Sequence, residues 1–273
     1  MGGFLTAPGP RESRIPITAS RLAIHLVEWG RPDGFPVVFL HGGAHDASRW
    51  SEVCRRLPDT LRCIVPDQRG HGHSDHAPDG DYSCAAQVAD LVGLLDALAV
   101  ERCALVGHSM GGLNALRFAG TRPERAAALV LIDVGTDTRR AGLEAVGRNR
   151  ERRSPQWVSL PFDARLLDFV PTYGGDAGER RRLLVASKAP LLVLRGARSR
   201  ILPAEAAEAC ARLGGGTAIT IPDAGHNAAQ QNPEAVARAL DRFLSSPKFL
   251  RNPGRGSQEV RKIEAELGEG LRR

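Results

Sequence analysis

An α/β fold with a mostly parallel central sheet flanked by helices is predicted by three features of the sequence. Short apolar runs rich in Val, Ile and Leu alternate with longer amphipathic stretches from Ile15 to Leu131, the pattern of βα units stacked on one sheet. The alternation breaks down between Val134 and Ala189, where arginines, Gly174-Gly175 and prolines at 155, 161 and 171 interrupt any period, so this segment reads as a short inserted cap. It resumes at Pro190 and runs to Leu244.

Taken in order, strands are predicted at Leu22–Glu28, Pro36–Leu40, Leu61–Pro66, Arg102–Val106, Ala127–Ile132, Pro190–Leu194 and Thr217–Ile221. Near-continuous apolar composition suits strands covered on both faces. Helices are predicted at Trp50–Leu57, Ser83–Leu98, Met110–Thr121, Ala204–Leu213 and Pro233–Leu244, where apolar residues recur every three or four positions. The stripe Leu91, Leu94, Leu95, Leu98 fits core packing rather than a cofactor box. The domain organisation expected is a flexible N-terminus over 1–14, one folded domain over 15–246 with the cap at 134–189, and a basic C-terminal tail over 247–273.

Composition narrows the function classes. A chain of 273 residues, 42% hydrophobic and 25% charged, buries a sizeable core and is neither disordered nor a disulfide scaffold. No uninterrupted apolar stretch reaches the roughly 18 residues of a membrane-spanning helix. The first residues lack the apolar segment of a secretory signal, and five scattered cysteines form no CxxC or Cys/His metal spacing. Reduced thiols in a cytoplasm are expected. The net charge of +6 comes almost wholly from arginine, concentrated between Arg139 and Arg182 and after Pro247, with no nucleic-acid reading motif. Neither nucleic acid nor a membrane is an expected partner, and the sequence leaves oligomeric state open.

Gly107-His108-Ser109-Met110-Gly111 follows an apolar strand and opens a helical run, the setting of a G-x-S-x-G nucleophile elbow. A sharp strand-to-helix turn leaves no space for side chains two residues before and after the serine, and it sets Ser109 at a helix N-terminus, where free N–H groups receive a developing anion. His41-Gly42-Gly43 follows another strand and offers a second backbone donor, so Gly43 and Met110 are the expected oxyanion hole. His41 itself is expected to hold the turn by hydrogen bonding. His226, in the loop after the last strand, is the expected general base, since an imidazole accepts and returns protons near neutral pH.

With Asp67-Gln68-Arg69-Gly70-His71-Gly72-His73-Ser74 added, the chain resembles an α/β-hydrolase of the esterase and lactonase type across about Leu22 to Leu244, through HGG, DxRGHGxS, GHSMGG and a late Gly-His. The resemblance implies that the DxRGHGxS loop is structural, so His71 and His73 are not catalytic candidates. In most relatives an Asp follows the Gly that ends the seventh strand by three residues, but here Gly196-Ala197-Arg198-Ser199-Arg200 supplies a serine. Asp133, at the end of the preceding strand, is then the expected acid, with Asp137 and Asp223 as weaker choices; some members of the family carry their acid there, with a serine near the usual position. Ser199 is accordingly expected as an auxiliary hydrogen-bonding partner of His226.

The expected function is a serine hydrolase of the carboxylesterase kind, cleaving a small ester, thioester or lactone through an acyl-enzyme without metal or organic cofactor. Acyl transfer to another alcohol or amine and carbon–carbon hydrolysis are open variants on the same fold, although His108 before the nucleophile resembles the esterase branch. A binding protein with a vestigial site is the rival from another class. Arg139, Arg140, Arg148, Arg150, Arg152 and Arg153 read either as a solvated cap surface or as attractors of a carboxylated acyl group.

Overall fold

The computed structural model describes residues 9–138, 162–170 and 172–245. The expected tail, most of the first fourteen residues and the arginine-rich centre of the expected cap lie outside them.

Eight strands build one sheet: β1 Arg11–Ile17, β2 Leu22–Gly30, β3 Phe35–Leu40, β4 Leu61–Pro66, β5 Cys103–His108, β6 Ala126–Ile132, β7 Leu191–Gly196 and β8 Thr217–Ile221. Their order is β1-β2-β4-β3-β5-β6-β7-β8. β1, β2 and β4 pair antiparallel, and every pairing from β4 through β8 is parallel. The helices are α1 Ser51–Cys54, α2 Cys84–Ala97, α3 Met110–Thr121, α4 Ala177–Ser187, α5 Ala204–Leu213, α6 Ala228–Gln231 and α7 Pro233–Leu244, with 3-10 turns at Ala47–Trp50 and Ala164–Phe169.

The strands send alternate residues to two separate cores, the period-two consequence of the pleat. Val37, Phe39, Ala104 and Val106 join Trp50, Val236 and Leu240 on the face covered by α1, α6 and α7. Val38, Leu40, Leu105 and Leu131 join Leu91, Leu95, Leu116 and Leu184 on the face covered by α2 to α5. The leucine stripe of α2 is thus core, as its spacing predicts. All five cysteines are free and buried. No helix among the described residues is long and apolar enough to cross a membrane.

Two segments differ from expectation. Arg11–Ile17 is strand β1, so residues 11–14 are part of the sheet and not of a flexible terminus. Charged residues along this edge strand keep its free side from pairing with another chain, and they also hide it from a hydrophobicity reading. Within the expected cap, α4 belongs to the helical layer. Leu184 is buried in the core beside α3, and Arg117 of α3 pairs with Glu179 of α4 at 2.8 Å. The rest of the described insertion turns inward at Phe162, which bridges to His71, and at Asp163, whose N–H donates to the Gly70 carbonyl. Phe162 and Leu166 pack with Met110 and Tyr82 in a small apolar cluster of their own.

Candidate active site

The turn after β5 is built around Ser109, whose backbone sits at φ 51° and ψ −116°. That left-handed geometry is strained for any residue but glycine, and it persists because the neighbours over-determine it. A Cβ on Gly107 would overlap the carbonyl oxygen of Gly111, and a Cβ on Gly111 would overlap that of Leu40, so both glycines are steric requirements of the bend. The Ser109 N–H donates to the Ile132 carbonyl at 3.1 Å, fastening the turn to β6.

Asp133 occupies the corresponding position one strand over, since Gly107 and His108 lie opposite Leu131 and Ile132 in the parallel register. It too has positive φ, 52°, and it is fully buried. Its N–H donates to the Leu194 carbonyl at 2.7 Å. Such a carboxylate needs partners, because an uncompensated charge in the interior is very costly. It has three: the Gly196 N–H donates to Oδ1 at 3.2 Å, and the Ser199 hydroxyl at 2.6 Å and the His226 Nδ1–H at 2.7 Å both donate to Oδ2.

His226 arrives on the loop after β8. Gln231 Oε1 accepts from the Gly225 N–H at 2.6 Å, Asn232 Nδ2 donates to the Pro222 carbonyl at 3.0 Å, and the His226 carbonyl accepts from His108 Nε2 at 2.8 Å. With Nδ1–H directed at Asp133, Nε2 carries the lone pair, and it accepts from the Ser109 hydroxyl at 3.0 Å. Ser109, His226 and Asp133 therefore form one continuous hydrogen-bonded line. The alternatives for the acid are elsewhere: Asp137 pairs with Arg181 at 2.5 Å, and Asp223 pairs loosely with Arg198 at 3.9 Å.

One expectation is corrected. Ser199 bonds Asp133, not His226, because the tight turn in which its N–H donates to the Gly196 carbonyl brings the hydroxyl to the carboxylate. The same oxygen accepts from the Ile201 and Leu202 N–H groups at 3.1 and 3.2 Å, so Ser199 also closes the loop after β7.

Gly43 faces Met110, with the Met110 Sδ 3.7 Å from where a Cβ would stand. Among the described residues, neither the Gly43 N–H nor the Met110 N–H has an acceptor. The Gly43 turn is held from behind. His41 Nε2 accepts from the Gln68 N–H at 2.9 Å, which fixes its Nδ1–H on the Gly42 carbonyl at 2.9 Å. His71 Nε2 accepts from the Ala44 N–H at 3.3 Å. Gln68 continues the chain to Asn114 at 2.7 Å, and Asn114 accepts from Tyr173, also at 2.7 Å. His41 and His71 are thus structural, as expected, and burial holds both below the usual imidazole range.

Two further histidines shape the electrostatics: His108, inside the nucleophile-elbow motif, and His45, two residues after Gly43. His108 lies with its ring centroid 4.7 Å from that of His226, and His45 stacks on His108 at 5.7 Å. Burial pushes His108 well below its ordinary pKa and pushes His45 down to about 3, with the nearby Arg49 adding to the latter. Both are neutral at neutral pH, so they place no cation beside His226 that would oppose its protonation.

A family model described as alpha/beta hydrolase fold matches residues 36–154. The chain is 37% identical over 123 residues to a serine hydrolase-like protein of Danio rerio, covering 45% of this chain and 37% of that one. It is 34% identical over 149 residues to the sn-1-specific diacylglycerol lipase ABHD11 of Mus musculus, covering 48% of each. The chain thus spans less than half the length of either curated relative. Among solved structures, a thermophilic esterase from Thermogutta terrifontis superposes with a TM-score of 0.68 at 29% identity, over 86% of this chain and 98% of that one.

Proposed function

The chain belongs to the α/β-hydrolase fold family, and from that premise we propose that it is a serine hydrolase that cleaves a carboxylic ester, thioester or lactone. The observation that carries this reading is the line from Ser109 Oγ through His226 to the buried Asp133, with contacts of 3.0 and 2.7 Å.

In this mechanism Ser109 Oγ attacks the substrate carbonyl carbon while His226 Nε2 takes its proton. The oxyanion forms against the free N–H groups of Gly43 and Met110, each worth roughly 3 to 4 kcal/mol to the transition state. Asp133 holds the imidazole in the tautomer that accepts at Nε2 and stabilises the imidazolium once it forms. The imidazolium then protonates the leaving alkoxide or thiolate, leaving an acyl group on Ser109. Water, deprotonated by His226, attacks that acyl group; the acyl–Oγ bond breaks as the imidazolium returns the proton to Ser109 Oγ, and the acid leaves. The 29% identity to an esterase over nearly that protein's whole length favours carboxylic esters, and the apolar cluster of Phe162 and Leu166 with Met110, the residue after the nucleophile, suits an apolar acyl group.

The test is labelling by a fluorophosphonate together with turnover of an aryl ester. The wild type should label rapidly and turn over, and Ser109→Ala should do neither while keeping its fold by circular dichroism. Turnover that survives in Ser109→Ala refutes the proposal, and a wild type that neither labels nor turns over leaves the vestigial binding protein in its place.

A further inference from the structure

Where the DxRGHGxS loop meets β2, three side chains outside the Ser109–His226–Asp133 line come together. His25 of β2 directs Nδ1 to Asp67 Oδ2 at 2.9 Å, and His73 brings its own Nδ1 to 3.8 Å from the same oxygen. That second separation is too long for a hydrogen bond. The two imidazoles meet edge to face with centroids 5.0 Å apart. Three ligand atoms, one from each of His25, Asp67 and His73, lie within 4.8 Å of one another.

We propose that His25, Asp67 and His73 form a structural binding site for a borderline divalent cation of the zinc type. Two imidazole nitrogens with one carboxylate oxygen is a donor set that suits such ions and not magnesium or calcium, which prefer all-oxygen shells. Bonds of about 2.0 to 2.1 Å at tetrahedral angles put donors about 3.3 Å apart, between the two separations seen here. The ion would replace the proton on His25 Nδ1, and His73, whose side chain is 82% exposed, is free to rotate onto it.

The surroundings have the parts such a site needs. Glu12 of β1 lies 3.7 Å from His25 Nε2, beyond hydrogen-bond length, and its exposed side chain has only a short rotation to make to receive the other ring N–H and keep Nδ1 turned toward the ion. Asp67 is anchored on its other oxygen, Oδ1, by the Ala47 N–H at 2.6 Å, while Oδ2 also accepts from the His73 N–H at 2.9 Å, which draws that residue to the site. Arg14, opposite His25 in the β1–β2 register, is neutralised by Asp75 at 2.6 Å. A bound ion would tie the edge of the sheet to the loop that supports Gly43 through Gln68, His41 and His71.

The experiment is calorimetric titration of the full chain with Zn2+, alongside thermal melting with and without the ion. Variants are His73→Ala, which removes an exposed ring and leaves the fold intact, His25→Gln, and His226→Ala to exclude zinc held by the histidines near Ser109. The wild type and His226→Ala should bind one equivalent and melt at higher temperature with zinc. His73→Ala should bind at least about tenfold more weakly and lose the melting shift. Wild-type affinity retained in His73→Ala, binding lost in His226→Ala, or no uptake by the wild type would each overturn the proposal.

Discussion

Asp133→Asn keeps the size of the proposed acid but removes its charge. The amide cannot stabilise the imidazolium, and it can force the wrong tautomer on His226, so kcat should fall by about 10^4 while KM changes little. Ser199→Ala removes a donor to that carboxylate but leaves those of Gly196 and His226, so turnover should fall far less. It also leaves the Ile201 and Leu202 N–H groups without their acceptor, and a stability loss of about 1 to 3 kcal/mol should appear in urea titration. These residues also mark how far the sequence can be read. Ser109 and His226 were legible because each sits in a short motif at a strand end, and Asp133 because the usual position after β7 holds a serine. The actual partner of Ser199 was not legible, since a one-dimensional pattern does not tell which of two touching groups a hydroxyl in a turn will face. His45 and His108 stood in plain view, yet their effect depends on burial and ring stacking, which no motif encodes.

At the scale of elements, the strands and helices with strong apolar periodicity lie within a few residues of their predicted positions, and those with weak periodicity went unseen. β1 opens with Arg11, Glu12, Ser13 and Arg14 along an exposed edge and carries apolar side chains only from Ile15 onward. α4 carries Arg180, Arg181 and Arg182 with little apolar face beyond Leu183 and Leu184. A local signal for α4 did exist: Asp176 accepts from the Glu179 N–H at 2.7 Å, the D-x-x-E start of a capped helix. Because Leu184 is 2% exposed between α4 and the core, Leu184→Ala should cost about 2 to 5 kcal/mol, a loss typical of the interior and not of a mobile lid. Chemical denaturation reads this directly; a loss below about 1 kcal/mol would return α4 to the cap.

For the whole molecule, the consequence of so many buried neutral imidazoles is a pH dependence. His41, His71, His108 and His45 all titrate lower when folded than the ordinary value near 6.5, chiefly through burial. Below that value the unfolded chain binds protons that the folded chain refuses, so stability is full above about pH 6.5 and declines as pH falls toward the folded values. Each such group contributes a slope of about 1.4 kcal/mol per pH unit. His45→Gln should remove one of them between pH 6 and pH 4, which urea midpoints across that range will measure. An unchanged slope would show that His45 is protonated in the native state.

Ser109 and Asp133 cap neighbouring parallel strands, so their spacing is inherited from the sheet, where strands stand about 4.8 Å apart. His226 alone is delivered by a stretch of irregular backbone. Gentle heating should therefore silence the proposed activity before the fold melts, and cooling should bring it back, with the reversible fraction governed by residues 222–228. Engineering for a longer working half-life at elevated temperature belongs in that short stretch rather than in the interior.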